Sequence, residues 1–424
     1  MLAVLAQILA LASGLLVNLL YPLAFGLAAY GGFLKIALPT LVLHRAVDMA
    51  NEALIAAPPG KGFFLVSALC VGLTAVLALL ALAATGLLGY INLPLFGSLL
   101  ATSLIMLSLH RDRRFGALVI YLAVFNVAFC TLTAQAATTG RLDLVEVLVL
   151  TNLTGAITGL FLLRQRIREP LPQAGMAQTI RQIVHHIPRT FGATLSVNAI
   201  TNLFPLLVAG TLSATELAKF RIFSSVLQSS ASLFPLHTKA VLSLLREKTY
   251  RTAVDHWLDL TYWYFLLIVC SLLALATFFP QWTLYGSAAL MMIPFAWLIL
   301  LERYGIASGH SATLGKASLL GLALTLLAGR LWVHDEATAV GAACLLIAAQ
   351  TGLLCALLLA WGTARRLLGA TLLLSALAVL ALTQAGPIQS WPPLWAALPA
   401  VVYGLVFMRL SRAHLQLIPR RTPA

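Results

Sequence analysis

Residues Phe63–Leu88 read FFLVSALCVGLTAVLALLALAATGLL, a run without Asp, Glu, Lys or Arg. A helix rises about 1.5 Å per residue and a bilayer core is about 30 Å thick, so roughly twenty such residues cross it. The run is apolar on every face, unlike a surface helix of a soluble domain. It predicts a membrane span. The rest of the chain agrees: of 424 residues, 61% are hydrophobic and 9% are charged, and the mean hydropathy is +0.95. Soluble domains carry about 25% charged residues, so a water-soluble enzyme is excluded. Disorder needs low hydrophobicity and a coiled coil needs recurring Glu/Lys heptads; neither is present.

Working outward, similar runs occur at Ala3–Gly26, Phe33–Ala56, Pro94–His110, Phe115–Ala137 and Leu142–Leu163. After a polar break come Phe191–Gly210, Glu216–Leu236, Trp257–Phe279, Ala288–Ile306, Ala312–Ala328 and Ala337–Trp361, and then a last pair, Leu367–Leu382 and Leu394–Leu410. The expectation is an all-α integral membrane protein of about 14 transmembrane helices. Residues 1–163 form one six-helix lobe and 191–362 a second. Between them lies a cytoplasmic linker, 164–190. Residues 363–424 hold two extra helices and a basic tail. In the linker, Ile180, Ile183, Val184 and Ile187 recur at helical spacing, which fits either an interfacial helix or an amphipathic linker. The first thirty residues lack the basic start of a cleavable signal and read as a retained span.

The 27 Lys and Arg against 13 Asp and Glu give a net charge of +14. Such a balance suggests nucleic acid in a soluble protein, but here the basic residues fall between apolar runs, so no nucleic-acid partner is expected. With both termini cytoplasmic, Lys61, Arg111, Arg113, Arg114, Arg164, Arg166, Arg168, Arg246, Lys248, Arg365 and Arg366 fall on the inner side, while few basic residues, among them Lys35, Arg141, Lys219 and Arg221, fall outside. That bias is the positive-inside signature. The five cysteines form no CxxC pair and lie within apolar runs, and no HExxH, Walker loop, GxSxG or paired-Cys metal site occurs. No catalytic residue, cofactor or metal is expected. Outer connections are too short for an extramembrane domain, so the bundle itself must carry the function.

Ionisable groups at membrane depth are costly and point to function. Arg45, Asp48 and Glu52 recur at i, i+3 and i+7 on one helical face. They present either a cation for an anionic substrate, with Asp48 and Glu52 available for proton or sodium coupling, or an ion pair that only fixes packing. Arg221, Ser225, Gln228, Ser229 and Ser232 form a polar line in the eighth run, and Thr194, Asn198, Asn202 and Pro205 a companion line in the seventh. Polar lines of this kind face water or another helix, not lipid. Pro22, Pro39, Pro205 and Pro235 mark places where helices bend or break.

The segment Phe191–Lys239, FGATLSVNAITNLFPLLVAGTLSATELAKFRIFSSVLQSSASLFPLHTK, resembles spans seven and eight of polysaccharide flippases of the O-antigen and exopolysaccharide (Wzx) type. These belong to the multidrug/oligosaccharidyl-lipid/polysaccharide exporter superfamily. The resemblance rests on a short outer turn, a Glu-x-x-x-aromatic opening at Glu216–Phe220, and a closing Phe234-Pro235. It implies two six-helix lobes in a V around a cationic cavity, and translocation of undecaprenyl-diphosphate-linked oligosaccharides across the bacterial inner membrane by alternating access. On that reading Arg45, Arg221, Lys35 and Lys219 attract the diphosphate, and Asn18, Asn198, Asn202 and Gln228 hold sugar. Partners would be the lipid-linked glycan, membrane lipids and polysaccharide polymerase or synthesis proteins.

Two other readings stand beside it. Lipid II flippases of the same superfamily have fourteen spans, and multidrug-type exporters share the fold, although their acidic residue in the first span has no counterpart in Ala3–Gly26. A scaffold that binds synthesis enzymes without transport would have a dry, fully packed bundle.

Overall fold

The structure is a computed structural model that describes residues 2–51, 63–112, 114–169, 202–233 and 338–361, with isolated positions at 181, within 291–327 and at 375. It is all-helical, without a strand among the described residues, and seven of its helices are long and apolar enough to cross a membrane. The protein is therefore a multi-pass membrane protein.

The chain runs α1 (Leu2–Phe25), α2 (Leu27–Asn51), α3 (Phe63–Ala84), a 3-10 turn (Leu88–Tyr90), α4 (Leu93–Arg111), α5 (Phe115–Thr139), α6 (Leu144–Leu162) and the short α7 (Arg164–Ile167). Then come α8 (Phe204–Ala209), α9 (Ala214–Leu233) and α10 (Ala339–Trp361). From residue 170 the linker lies outside the described residues apart from Arg181, as do Thr194, Asn198 and Glu52.

The second helix begins six residues before the expected Phe33. One residue, Gly26, separates α1 from α2. Its φ of +85° is left-handed, a conformation glycine adopts without a Cβ penalty. Its amide closes α1 on the Pro22 carbonyl at 2.9 Å, and its carbonyl opens α2 by accepting from the Tyr30 amide at 3.1 Å. Lys35 therefore lies inside a helix and not in a connection. Its position is exposed, and a long aliphatic stem lets an ammonium stay solvated from such a site. Lys219 and Arg221 belong to α9, within the expected eighth run.

Other ends follow local rules. Asn92 caps α4 by accepting from the Leu95 amide at 3.0 Å, and its own amide donates to Thr40 Oγ1 at 2.9 Å, which ties the α3–α4 turn to the middle of α2. Asp143 and Glu146 form a reciprocal capping box at the start of α6.

The first six helices pack as neighbours, α1 on α5, α5 on α6 and α4 on α6, with α2 against α3 and α4. Apolar contacts among Phe64, Ile105, Leu109, Leu118, Tyr121 and Ala156 join polar ties between helices. His44 Nε2 meets Ser103 Oγ at 2.8 Å, Asn51 donates to Thr74 Oγ1 at 2.8 Å, and Asn152 donates to Ser98 Oγ at 3.3 Å. Such bonds are the usual glue where lipid removes the hydrophobic drive between helices. A second seam sets α9 against both α1 and α2, and α10 packs against α9.

Candidate functional site

The seam between α9 and the α1–α2 pair gathers charge and aromatic rings at one end, here called the Gly26 end. α2 and α9 start together there. The Cβ that Gly31 lacks would stand 1.8 Å from the Ala214 carbonyl oxygen, so only glycine permits this approach. The α5–α6 turn is at the same level, since the Tyr21 hydroxyl donates to the Leu144 carbonyl at 2.8 Å. Tyr21 packs edge-on against Phe33 with centroids 5.3 Å apart, and Tyr30 stacks on Phe33 at 6.0 Å. Both tyrosines are fully buried.

Tyr30 ties α2 to α1. Its hydroxyl donates to Asn18 Oδ1 on α1 at 2.6 Å, and Asn18 is held in turn by donating to the Gly14 carbonyl at 2.7 Å. The Arg221 guanidinium of α9 interacts electrostatically with Tyr30 across the seam. Arg221 Nη1 is sealed from the surface and has no hydrogen-bond partner among the described residues. No carboxylate is paired with this cation in any described ion pair. A buried guanidinium that is only partly satisfied is costly, and an oxyanion is the ligand that completes it best.

The other expected groups fall into different places. Lys219 pairs with Glu216 at 2.7 Å. The second Glu216 oxygen accepts the Ala339 amide at 2.8 Å, which caps α10. Ser224 and Ser225 return their hydroxyls to the Arg221 carbonyl, at 3.0 and 2.7 Å, so they serve the helix backbone and not the seam. Gln228, two turns from Arg221 on the same face, is half-buried and makes contacts of its own; so does Asn202, in the π-helical turn before α8.

Arg45 and Asp48 form an ion pair with side-chain exposures of 35% and 10%. Helical spacing places both on the α2 face that carries Tyr30. They are not part of the Arg221 cluster, because the fifteen-residue step from Tyr30 to Arg45 is about 22 Å along the axis. The cations thus form two stations on one face of α2 instead of one group. An apolar pocket of about 360 Å³ is bordered by Pro39, Val42, Leu43 and Ala46 of α2, by Leu82, Leu87, Tyr90 and Ile91 around the α3–α4 turn, and by Leu206 of α8. Sequence reasoning missed Tyr30. The adjacent Gly31-Gly32 pair, inside an otherwise bulky apolar run, was its available signal, since paired glycines in a helix mark close approach.

No family model matches the chain, and no curated protein is similar to it in sequence. A solved structure is similar in fold. It is the lipid II flippase MurJ in an inward closed conformation, with a TM-score of 0.55 and 14% identity, covering 98% of this chain and 99% of that one. The chain thus has the fold of a membrane transporter over nearly its full length. Among the described residues no group of His, Cys, Asp and Glu is arranged to hold a metal.

Proposed function

We propose that the chain is a flippase that moves undecaprenyl-diphosphate-linked glycan units across the bacterial inner membrane by alternating access, for surface polysaccharide assembly. The observation that carries this is Arg221, a cation inside the bundle at a seam between helices, with one guanidinium nitrogen left without a partner among the described residues. A diphosphate supplies the missing acceptors. Arg45, on the same face of α2 and toward its other end, supplies the second station, so a headgroup exchanges one cation for another as it crosses. The apolar pocket along α2 and the α3–α4 turn suits part of a prenyl chain while the headgroup stays in the polar seam. Asn18, Asn198, Asn202 and Gln228 are the sugar-facing candidates, and Lys35 and Lys219 add positive potential at the Gly26 end. Asp48 and Glu52 are the candidates for ion coupling.

In this reading residues 1–163 and 191–362 are the two moving lobes, 164–190 the cytoplasmic linker, and 363–424 an added helix pair. Both termini are cytoplasmic, and the partners are polysaccharide polymerase or synthesis proteins. A second reading, lipid II as substrate, is favoured by the nearly complete two-way coverage against a lipid II flippase; the same diphosphate chemistry serves both. The test is deletion of the protein followed by analysis of lipid-linked intermediates on each leaflet. Oligosaccharide units accumulating on the inner leaflet support the first reading, and lipid II accumulating there supports the second. An unchanged distribution of both overturns the flippase proposal.

A further inference from the structure

Lys35 lies on a side of α2 that the seam does not use. Lys35, Pro39, Val42 and Ala46 recur at i, i+4, i+7 and i+11, so they share one helical face. Tyr30 is about 140° around the helix from Lys35. The last three of those residues border the apolar pocket of about 360 Å³, whose α2 wall therefore begins one turn from the lysine. The opposite wall is fixed, because the Asn92 amide donates to Thr40 Oγ1 at 2.9 Å and holds the turn that carries Tyr90 and Ile91 against α2. Ile36, Leu87 and Tyr90 are 57%, 47% and 68% exposed, so this side of the bundle is open to the bilayer.

Two polar groups stand at the head of the pocket. One is the Lys35 ammonium, which takes part in none of the described ion pairs. The described carboxylates of the Gly26 end are engaged elsewhere, Asp143 and Glu146 in their capping box and Glu216 with Lys219 and the Ala339 amide. The other is the Lys35 carbonyl. Pro39, four residues on, has no N–H, so this carbonyl loses the amide that an unbroken helix would supply. An acceptor left in that state within a membrane calls for a donor.

We propose that Lys35 and the pocket form a site for an acidic glycerophospholipid of the phosphatidylglycerol type, in the leaflet at the Gly26 end. The phosphodiester oxygen pairs with the ammonium, a glycerol hydroxyl of the headgroup donates to the Lys35 carbonyl, and one acyl chain lies in the pocket. Charge favours this lipid over a prenyl diphosphate, since one ammonium balances one phosphodiester, whereas a diphosphate is better matched by guanidinium groups. Position favours it as well, because a bilayer lipid reaches this face without entering the seam. The site stands independently of the flippase reading. Within that reading, the resident phospholipid is what a prenyl chain displaces from the pocket.

The test places the full chain in phosphatidylcholine nanodiscs with a trace of photoreactive lipid carrying a diazirine in its chain, and maps the crosslinked peptides by mass. The three probes are phosphatidylglycerol, phosphatidylethanolamine and undecaprenyl diphosphate. Crosslinks at Val42–Ala46 and Leu87–Ile91 are counted against those at Ile157, a lipid-facing position on α6 that is 70% exposed. Phosphatidylglycerol should label the pocket roughly five- to tenfold more than phosphatidylethanolamine does, the scale of one charge-assisted hydrogen bond. Lys35→Gln should remove that preference and Lys35→Arg should keep it. Ala46→Leu should lower pocket labelling by both phospholipids, because it fills the slot with the charge intact. Arg141→Gln, an exposed cation at the same end, should change nothing. Equal labelling by the two phospholipids overturns the proposal, as does an unchanged preference in Lys35→Gln or an equal loss in Arg141→Gln. Loss of undecaprenyl diphosphate labelling alone in Lys35→Gln also overturns it. A phosphatidylglycerol preference with no leaflet effect on deletion keeps this site and removes the flippase reading; the reverse pair of results does the opposite.

Discussion

Glu216 Oε2 accepts the backbone amide of Ala339 at 2.8 Å, across 123 residues of sequence, while its Oε1 holds Lys219 at 2.7 Å. One carboxylate therefore caps α10, balances a lysine and fixes the starts of two helices to one another. Its negative charge also lies at the positive end of the α10 dipole. Glu216→Ala should lower stability by about 1–2 kcal/mol, and Glu216→Gln by less, since the amide oxygen still accepts from Ala339. Denaturant unfolding in detergent measures both; equal losses would show that the cap contributes nothing beyond the charge.

Two glycines at helix contacts should respond differently to alanine. At Gly31 a new Cβ meets a backbone carbonyl at 1.8 Å, and at Gly159 it meets the Ile105 side chain at 2.4 Å. A side chain can change rotamer, whereas a backbone moves only with its helix. Gly159→Ala should cost about 1–3 kcal/mol, the usual range for overpacking, and Gly31→Ala more, or it should separate α2 from α9. Unfolding curves of the two variants in detergent provide the comparison.

Arg221→Ala and Arg45→Ala should each reduce glycan export at least about tenfold, the scale of a lost hydrogen bond between charged groups, with the protein still folded and inserted. Export is read from surface polysaccharide, and insertion from membrane fractionation. Normal export by both variants would remove the two-station site.

Asp48→Asn separates two roles of one carboxylate. Asp48 is paired with Arg45, so the variant removes that negative charge from beside a half-buried arginine. If Asp48 couples an ion, the dependence of export on the proton or sodium gradient should change. If it only neutralises Arg45, stability falls while that dependence stays the same. Export measured under imposed gradients, alongside unfolding, decides between them.

Hydropathy made the spans legible because a bilayer forces length and apolarity on every crossing helix. It misplaced the start of α2 because hydropathy does not show that Gly26 alone turns the chain. The Arg45–Asp48 pair was readable from i, i+3 spacing within one helix. The separation of Arg45 from Arg221 was not, nor was the role of Tyr30, because both depend on which helix lies beside which, and an apolar face says little about its neighbour. Glu216 was visible only as part of a motif; its bond to Ala339 joins residues that no local pattern connects.

The one-residue junction at Gly26 also bears on how the chain reaches the membrane. Of the seven candidate spans α2 has the lowest hydropathy, and it carries Lys35, Arg45 and Asp48. An isolated segment with three such residues partitions poorly from the translocon. Joined to the strongly apolar α1 by a single glycine, and with Arg45 already neutralised by Asp48, it can enter lipid as half of a hairpin. Insertion of this helix pair is thus a cooperative step, and the residues that burden α2 are carried in by its partner.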